Sequence, residues 1–184
     1  VNSNGSSTGV DGQISFTTGG TGGFQIVGTL TTDSGNIKTV VDRDLTVGGG
    51  TLDASEVQMT VDVTLSVASG GTLTVNGGVA GQFLTKDGAG TLVLTQTNFF
   101  VGDITIDGGT LLVNGTIPSP NTVAVNSGAT LGGTGSIGGT VTVNSGGTIA
   151  PGTDGTVGTL TVGGLAFNGG TYKGDLLGNT DRKS

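Results

Sequence analysis

Ile104-Thr-Ile-Asp-Gly-Gly-Thr-Leu111, Val123-Ala-Val-Asn-Ser-Gly-Ala-Thr-Leu131 and Val141-Thr-Val-Asn-Ser-Gly-Gly-Thr-Ile149 write one phrase three times. Each copy is a strand with apolar residues at every second position, a polar and glycine corner, and a second strand entered through Thr-Leu or Thr-Ile. The entry recurs outside this window at Leu30, Leu52, Leu73, Leu92 and, with an aromatic, Tyr172. From Leu52 the steps to Leu73, Leu92, Leu111, Leu131 and Ile149 are about 18 to 21 residues. A period of that size marks repeat architectures, in which each unit is too small to bury its own apolar side.

Composition narrows what the repeat can be. Among 184 residues there are 40 Gly, 3 Pro and no Cys, His or Trp. Glycine excess suits collagen, a linker or a chain of many tight corners. Collagen needs a Gly-X-Y period and abundant proline, and both are missing. A linker or disordered chain lacks β-branched residues, whereas Val, Ile and Thr alternate through most of this one. The glycines are therefore read as corners between short strands.

Thirteen acids against six bases give a net charge of −7. Nucleic-acid binding is excluded as a class, because that affinity rests on basic side chains neutralising phosphates. No apolar run approaches the roughly 20 residues of a membrane-spanning helix. Without Cys there is neither a disulfide framework nor a thiolate metal site. The chain opens with no starting Met and no basic-plus-apolar leader, so it is expected to be a mature or excised segment.

Residues 1–9 read as a flexible leader or cap, 10–177 as one solenoid domain, and 178–184 as a polar tail. Within the domain, 10–69 carry less regular coils and 70–177 regular repeats. Val57 to Val67 alternates for eleven residues, over about 30 Å if straight, so a bend near Val61-Asp62 is expected to divide it between two faces. One inward set is Leu73, Leu92, Leu111 and Leu131; a second is Ile104/Ile106, Val123/Val125, Val141/Val143 and Leu165/Phe167. A third, thinner set is Val79/Phe83, Phe100, Ile117 and Ile137. Three faces per coil of about 19–21 residues, with no helix-forming run between them, predict an all-β parallel β-solenoid.

Gly88-Ala-Gly-Thr-Leu-Val-Leu-Thr-Gln-Thr-Asn-Phe-Phe-Val-Gly-Asp-Ile-Thr-Ile-Asp-Gly-Gly-Thr-Leu-Leu-Val-Asn-Gly115 resembles the passenger-associated transport repeat of bacterial autotransporters. The phrases Gly128-Ala-Thr-Leu-Gly-Gly-Thr-Gly-Ser-Ile-Gly-Gly139 and Ile149-Ala-Pro-Gly152 extend the resemblance to about half the chain. It implies a right-handed parallel β-helix on the outside of a bacterial cell. The family's usual Asn-Thr-Tyr-Thr-Gly reads Asn98-Phe-Phe-Val-Gly102 here.

Candidate chemistry is sparse. The densest acidic group, Asp42-Arg43-Asp44 with Asp33 and Asp53 near it in sequence, invites comparison with metal-assisted polysaccharide lyases. These aspartates neighbour turn residues, where Asp caps corners, and the chain has no His and a single Glu. Calcium repeats would need aspartates at nine-residue steps, which do not occur. The threonine column Thr51, Thr72, Thr91, Thr110, Thr130, Thr148 and Thr171 raises ice binding, yet its companion outward position is Thr74, Val93, Leu112, Gly132 and Ala150, which breaks a flat threonine face. Asp107, Asn126, Asn144 and Asn168 read as a stacked corner ladder.

No catalytic, cofactor-binding or metal site is therefore expected. The expected role is a non-catalytic structural or adhesive module, secreted or on the bacterial surface. Its alternatives are an end-to-end filament subunit and a polysaccharide-active enzyme. If Phe100 turns inward, alternation turns Phe99 and Val101 outward beside Val93 and Leu112, making an apolar contact patch; both Phe rings tucking in is the alternative. The partners this allows are a host or cell-surface ligand that the sequence does not name and a second copy stacked head to tail.

Overall fold

The computed structural model describes residues 24–27, 30–31, 38–41, 45–53, 56–59, 62–118, 122–153 and 156–174. All regular structure in them is strand. The glycine and polar corners break the chain every few residues, leaving no run long enough for a helix.

The strands stack in parallel on two long faces. The first runs from Phe24–Val27 through Leu45–Asp53, Val63–Val67, Leu84–Asp87, Ile104–Ile106, Val123–Val125 and Ser136–Asn144 to Thr161–Asn168. The second runs from Leu30–Thr31 through the later part of Leu45–Asp53, then Thr72–Val75, Thr91–Leu94, Gly109–Val113, Ala129–Gly133 and Thr148–Thr153, to Thr171–Tyr172. One antiparallel pair, Thr148–Thr153 with Thr156–Val157, interrupts the pattern. A third face is short and holds Lys38–Val41, Glu56–Met59, Gly78–Gly81 and Phe99–Phe100.

The repeat places like residues over like. Leu73, Leu92, Leu111, Leu131 and Ile149 form one buried column in register, and Thr72, Thr91, Thr110, Thr130, Thr148 and Thr171 flank it. The ordered stacking of Ile104/Ile106, Val123/Val125 and Val141/Val143 closes the core from the first face. The alternating run 57–67 does divide: Glu56–Met59 belongs to the third face and Val63–Val67 to the first. Among the described residues the parallel sheet is closed by stacking coils, with no helical crossover.

Three expectations need correcting. Leu52 does not begin the leucine column: it pairs with Val75, while Gly50 lies opposite Leu73 and Thr51 opposite Thr74. The cause is corner length. From Leu45 to Gly50 is five residues, and from their partners Leu65 to Leu73 is eight. Gly48–Gly50 pass from face to face inside one strand, whereas the next coil inserts a turn at Ser69-Gly70.

Phe83 is not in the core; it is half exposed. Leu84 takes the inward place at the start of its strand, so its neighbour Phe83 faces out. Phe100 is buried, but it lies over Gly81. The residue aligned between Val79 and Ile117 is Asn98, because Phe99 pairs with Ala80 and Thr97 bridges Thr116. That column then continues through Ile137 to Val162.

Candidate functional site

Two polar side chains, Lys86 and Asn98, stand fully buried in columns that are otherwise aliphatic, and the second precedes the most exposed apolar residues of the described chain. Lys86 lies between Leu65 and Ile106. Its strand reads Leu84-Thr-Lys86-Asp, so alternation sends Lys86 inward after Leu84. An ammonium in a core is tolerated only when its protons are satisfied. Here Nζ donates to the carbonyl oxygens of Asp87 at 2.6 Å, Gly88 at 2.9 Å and Gly108 at 3.0 Å. Burial lowers its pKa to about 8, with the nearby Asp87 carboxylate opposing the fall. Lys86 thus ties the corner of its own coil to the corner of the next. Gly88 at that corner has φ of +73°, and a Cβ there would overlap the Val67 carbonyl, so only glycine serves.

Asn98 pins the opposite corner. Its Oδ1 accepts the Val79 N–H at 3.1 Å, its Nδ2 donates to the Gln96 carbonyl at 2.6 Å, and its own N–H donates to Thr116 O at 2.7 Å. Asn98 therefore joins the coils on either side, the earlier through its side chain and the later through its backbone N–H. Fixing Asn98 inward sets the parity of its successors in the chain, with Phe99 out, Phe100 in and Val101 out.

Phe99 is 61% exposed and Val101 78%. Below them the Gly78–Gly81 strand offers only Ala80 and Gly81, and Val101 N–H donates to Gly81 O at 2.9 Å. Gly102 pairs back to Gln82, and Phe83 lays its ring over Gly102, where a Cβ would come within 2.5 Å of the ring. Phe83, Phe99 and Val101 consequently share one outer surface across two coils. Beyond Asn98 the ladder narrows: in the register of the Thr97–Thr116 bridge Pro118 stands opposite Phe99, and proline has no N–H to extend the pairing. Just past Val101, hydrogen bonding from the Thr122 side chain, and then from the Thr122 N–H at 3.0 Å, holds the Asp103 carboxylate's pKa below the usual value.

Of the four residues expected to form a patch, the structure puts Phe99 and Val101 together. Val93 and Leu112 are register partners on the second face, both half-buried, with Leu112 lying over Gly132. No strand pairing joins the two couples. Phe83, absent from the expected patch, completes the first. Asp33 and Asp42 to Asp44 lie outside the described residues, and the described residues contain no group of three or more His, Cys, Asp or Glu placed to hold a metal ion. Nor, among them, is any helix long and apolar enough to cross a membrane. The corner ladder is present as expected: Asn126 Nδ2 donates to Asp107 at 2.7 Å, Asn144 to Asn126 at 2.7 Å and Asn168 to Asn144 at 3.3 Å.

Residues 84–113, which include Lys86, Asn98, Phe99 and Val101, match the family model of the passenger-associated-transport-repeat. The chain is also 36% identical over 115 residues to the adhesin BmaC autotransporter of Brucella suis biovar 1 (strain 1330). That match covers 58% of this chain and 3% of the relative, so the chain corresponds to a small part of the length of the protein it resembles. No solved structure matches. The chain is a parallel β-solenoid whose residues 84–113 match the passenger-associated-transport-repeat model and which is similar, over a small part of that protein's length, to an autotransporter adhesin.

Proposed function

We propose that this chain is a non-catalytic, extracellular module of a bacterial surface protein, which holds an apolar contact surface formed by Phe83, Phe99 and Val101 away from the cell. The observation that carries the proposal is the patch itself. Three large apolar side chains are turned outward on adjacent coils, while the outward positions of the first face, Thr64, Ser66, Thr85, Thr105, Ala124 and Thr142, are small and mostly polar. Burying them would release water from apolar surface, and clustered aromatics are the residues that dominate protein contacts. The passenger repeat and the named adhesin relative support a secreted or cell-surface setting. A rod of stacked coils suits that task, since every coil is braced by its neighbours and outward side chains can vary without touching the core.

The test is binding of the labelled chain to cultured epithelial monolayers, with a Phe99→Ser, Val101→Ser double variant beside it. Both side chains are exposed, so the variant's thermal melt should match the parent's. Binding should fall at least about fivefold, as expected for losing roughly 1 kcal/mol of contact energy. Equal binding by the variant, or no binding by the parent, would remove the patch as the contact surface.

A further inference from the structure

The patch of Phe83, Phe99 and Val101 has an acidic rim. Leu84 pairs with Val63 on one side and Ile104 on the other, so the residues just before these three, Asp62, Phe83 and Asp103, stand in one column. Backbone bonding fixes the same order: Val63 N–H donates to Phe83 O at 3.1 Å and Leu84 N–H to Asp103 O at 3.3 Å. Phe83 therefore has an aspartate one coil away on either side, about 4.8 Å along the stacking direction. Both aspartates are exposed. Asp103 keeps acceptor positions to spare, since a carboxylate accepts about four hydrogen bonds and Thr122 supplies two of them.

The coils that build the patch bring no cation to this rim. From Leu45 to Tyr172 the one basic residue is Lys86, and its Nζ is held by three carbonyls inside the core. A partner that covers the apolar side chains must also pair the carboxylates, because an acid buried without a partner is strongly unfavourable. A second copy brings the same acids on a chain of net charge −7, and an anionic lipid or glycan meets them with like charge.

An arginine meets both demands. One face of the Phe83 ring lies on Gly102 and the ring is half exposed, so its other face is open to a planar guanidinium. Guanidinium stacks on aromatic rings and carries a fork of N–H donors matched to carboxylates. Stacked on Phe83, it sits between Asp62 and Asp103. In an extended segment the side chain two residues along returns to the same side, which leaves an apolar residue to cover Phe99 and Val101. We propose that the patch takes an extended, arginine-bearing peptide segment of a partner protein, its guanidinium on Phe83 between Asp62 and Asp103 and its next inward apolar side chain on Phe99 and Val101. This rests on the reading of the patch as the contact surface and adds the chemistry of what is contacted.

Fluorescence anisotropy of the intact chain with the dye-labelled peptide Arg-Leu-Arg-Leu-Arg tests it. Two comparison peptides separate the contributions: citrulline at each arginine keeps the shape without the charge, and serine at each leucine keeps the charge without the apolar surface. The first peptide should bind with a Kd below about 1 mM, and each comparison peptide at least about tenfold more weakly. Asp62→Asn with Asp103→Asn should weaken binding of the first peptide at least about fivefold. Asparagine keeps an oxygen to accept from Thr122, so the melt should match the parent's. Phe83→Ser, at an exposed ring, should weaken binding by a similar factor. Asp87→Asn with Asp107→Asn removes the same charge at another corner and should bind like the parent. Absence of binding at about 1 mM, equal binding of the citrulline peptide, or equal loss in the two Asn pairs would overturn the proposal. If Phe99→Ser with Val101→Ser abolishes binding to monolayers while the arginine peptide does not bind, the patch stands as the contact surface and the arginine assignment alone falls.

Discussion

Val141, Val143 and Ile149 are shut away from solvent, while Leu165, Phe167 and Tyr172, one coil further and in register with them, are about half exposed. The two coils use the same alternation and the same Asn at the corner. What differs is that, among the described residues, a coil lies on both sides of the first set and on one side of the second. In a solenoid, burial belongs to the neighbour as much as to the residue, and stability is accordingly a sum of coil-on-coil contacts. The interior and the end should then respond very differently to the same kind of substitution.

The largest effect should come from the middle of the leucine column. Leu111 is fully buried between Leu92 and Leu131. Leu111→Ala opens a cavity that three coils share, and should cost about 2–5 kcal/mol in chemical denaturation. A change below about 0.5 kcal/mol would mean the column carries no packing energy, and the contrast with the end coil would collapse.

Lys86 should give an intermediate effect with a pH signature. Lys86→Met keeps the bulk of the side chain but leaves the carbonyls of Asp87, Gly88 and Gly108 without their donor, for an expected loss of about 1–3 kcal/mol near neutral pH. The direction with pH follows from the lowered pKa. Between about 8 and the ordinary 10.5, the unfolded chain holds this proton and the folded chain releases it. The site's contribution to stability therefore rises with pH across that window. The urea-midpoint gap between parent and Lys86→Met should widen from pH 7.5 to pH 10. A narrowing gap would show that the three carbonyls favour the ammonium more than burial penalises it.

Much of this was legible in the sequence because stacking copies one coil onto the next. The Thr-Leu spacing located the leucine and threonine columns, and the recurring Asn located the ladder. Legibility failed where a residue departs from the rule of its column. Lys86 and Asn98 occupy core places while reading as surface residues by type; alternation after Leu84 marks the first, whereas nothing local marks the second. Phe83 misled in the opposite sense, since an aromatic beside a corner reads as core until Leu84 is seen to hold the inward position. Leu52 was misplaced because equal spacing in sequence hid unequal corners, with Gly48–Gly50 passing straight through where Ser69-Gly70 makes a turn. The outward turn of Phe99 and Val101 was legible from parity, but which strands adjoin them depends on Asn98.

The smallest effect should be at the end coil. Leu165 sits in the same column as Val141, and by type it has more apolar surface to lose. With nearly half of it already in water, Leu165→Ala forfeits little transfer energy and leaves no closed cavity, so its cost to the isolated chain should stay below about 1 kcal/mol. Measured by urea denaturation at micromolar concentration, this sets the floor against which Leu111→Ala is compared. Repeating the measurement at a hundredfold higher concentration sharpens the comparison. If a second copy covers the end, Leu165 acquires the two-sided burial that Val141 already has, and the cost of its truncation should grow with concentration. A cost that is large even at the lowest concentration would show that the end is covered within the single chain, and the interior and the last coil would then be alike.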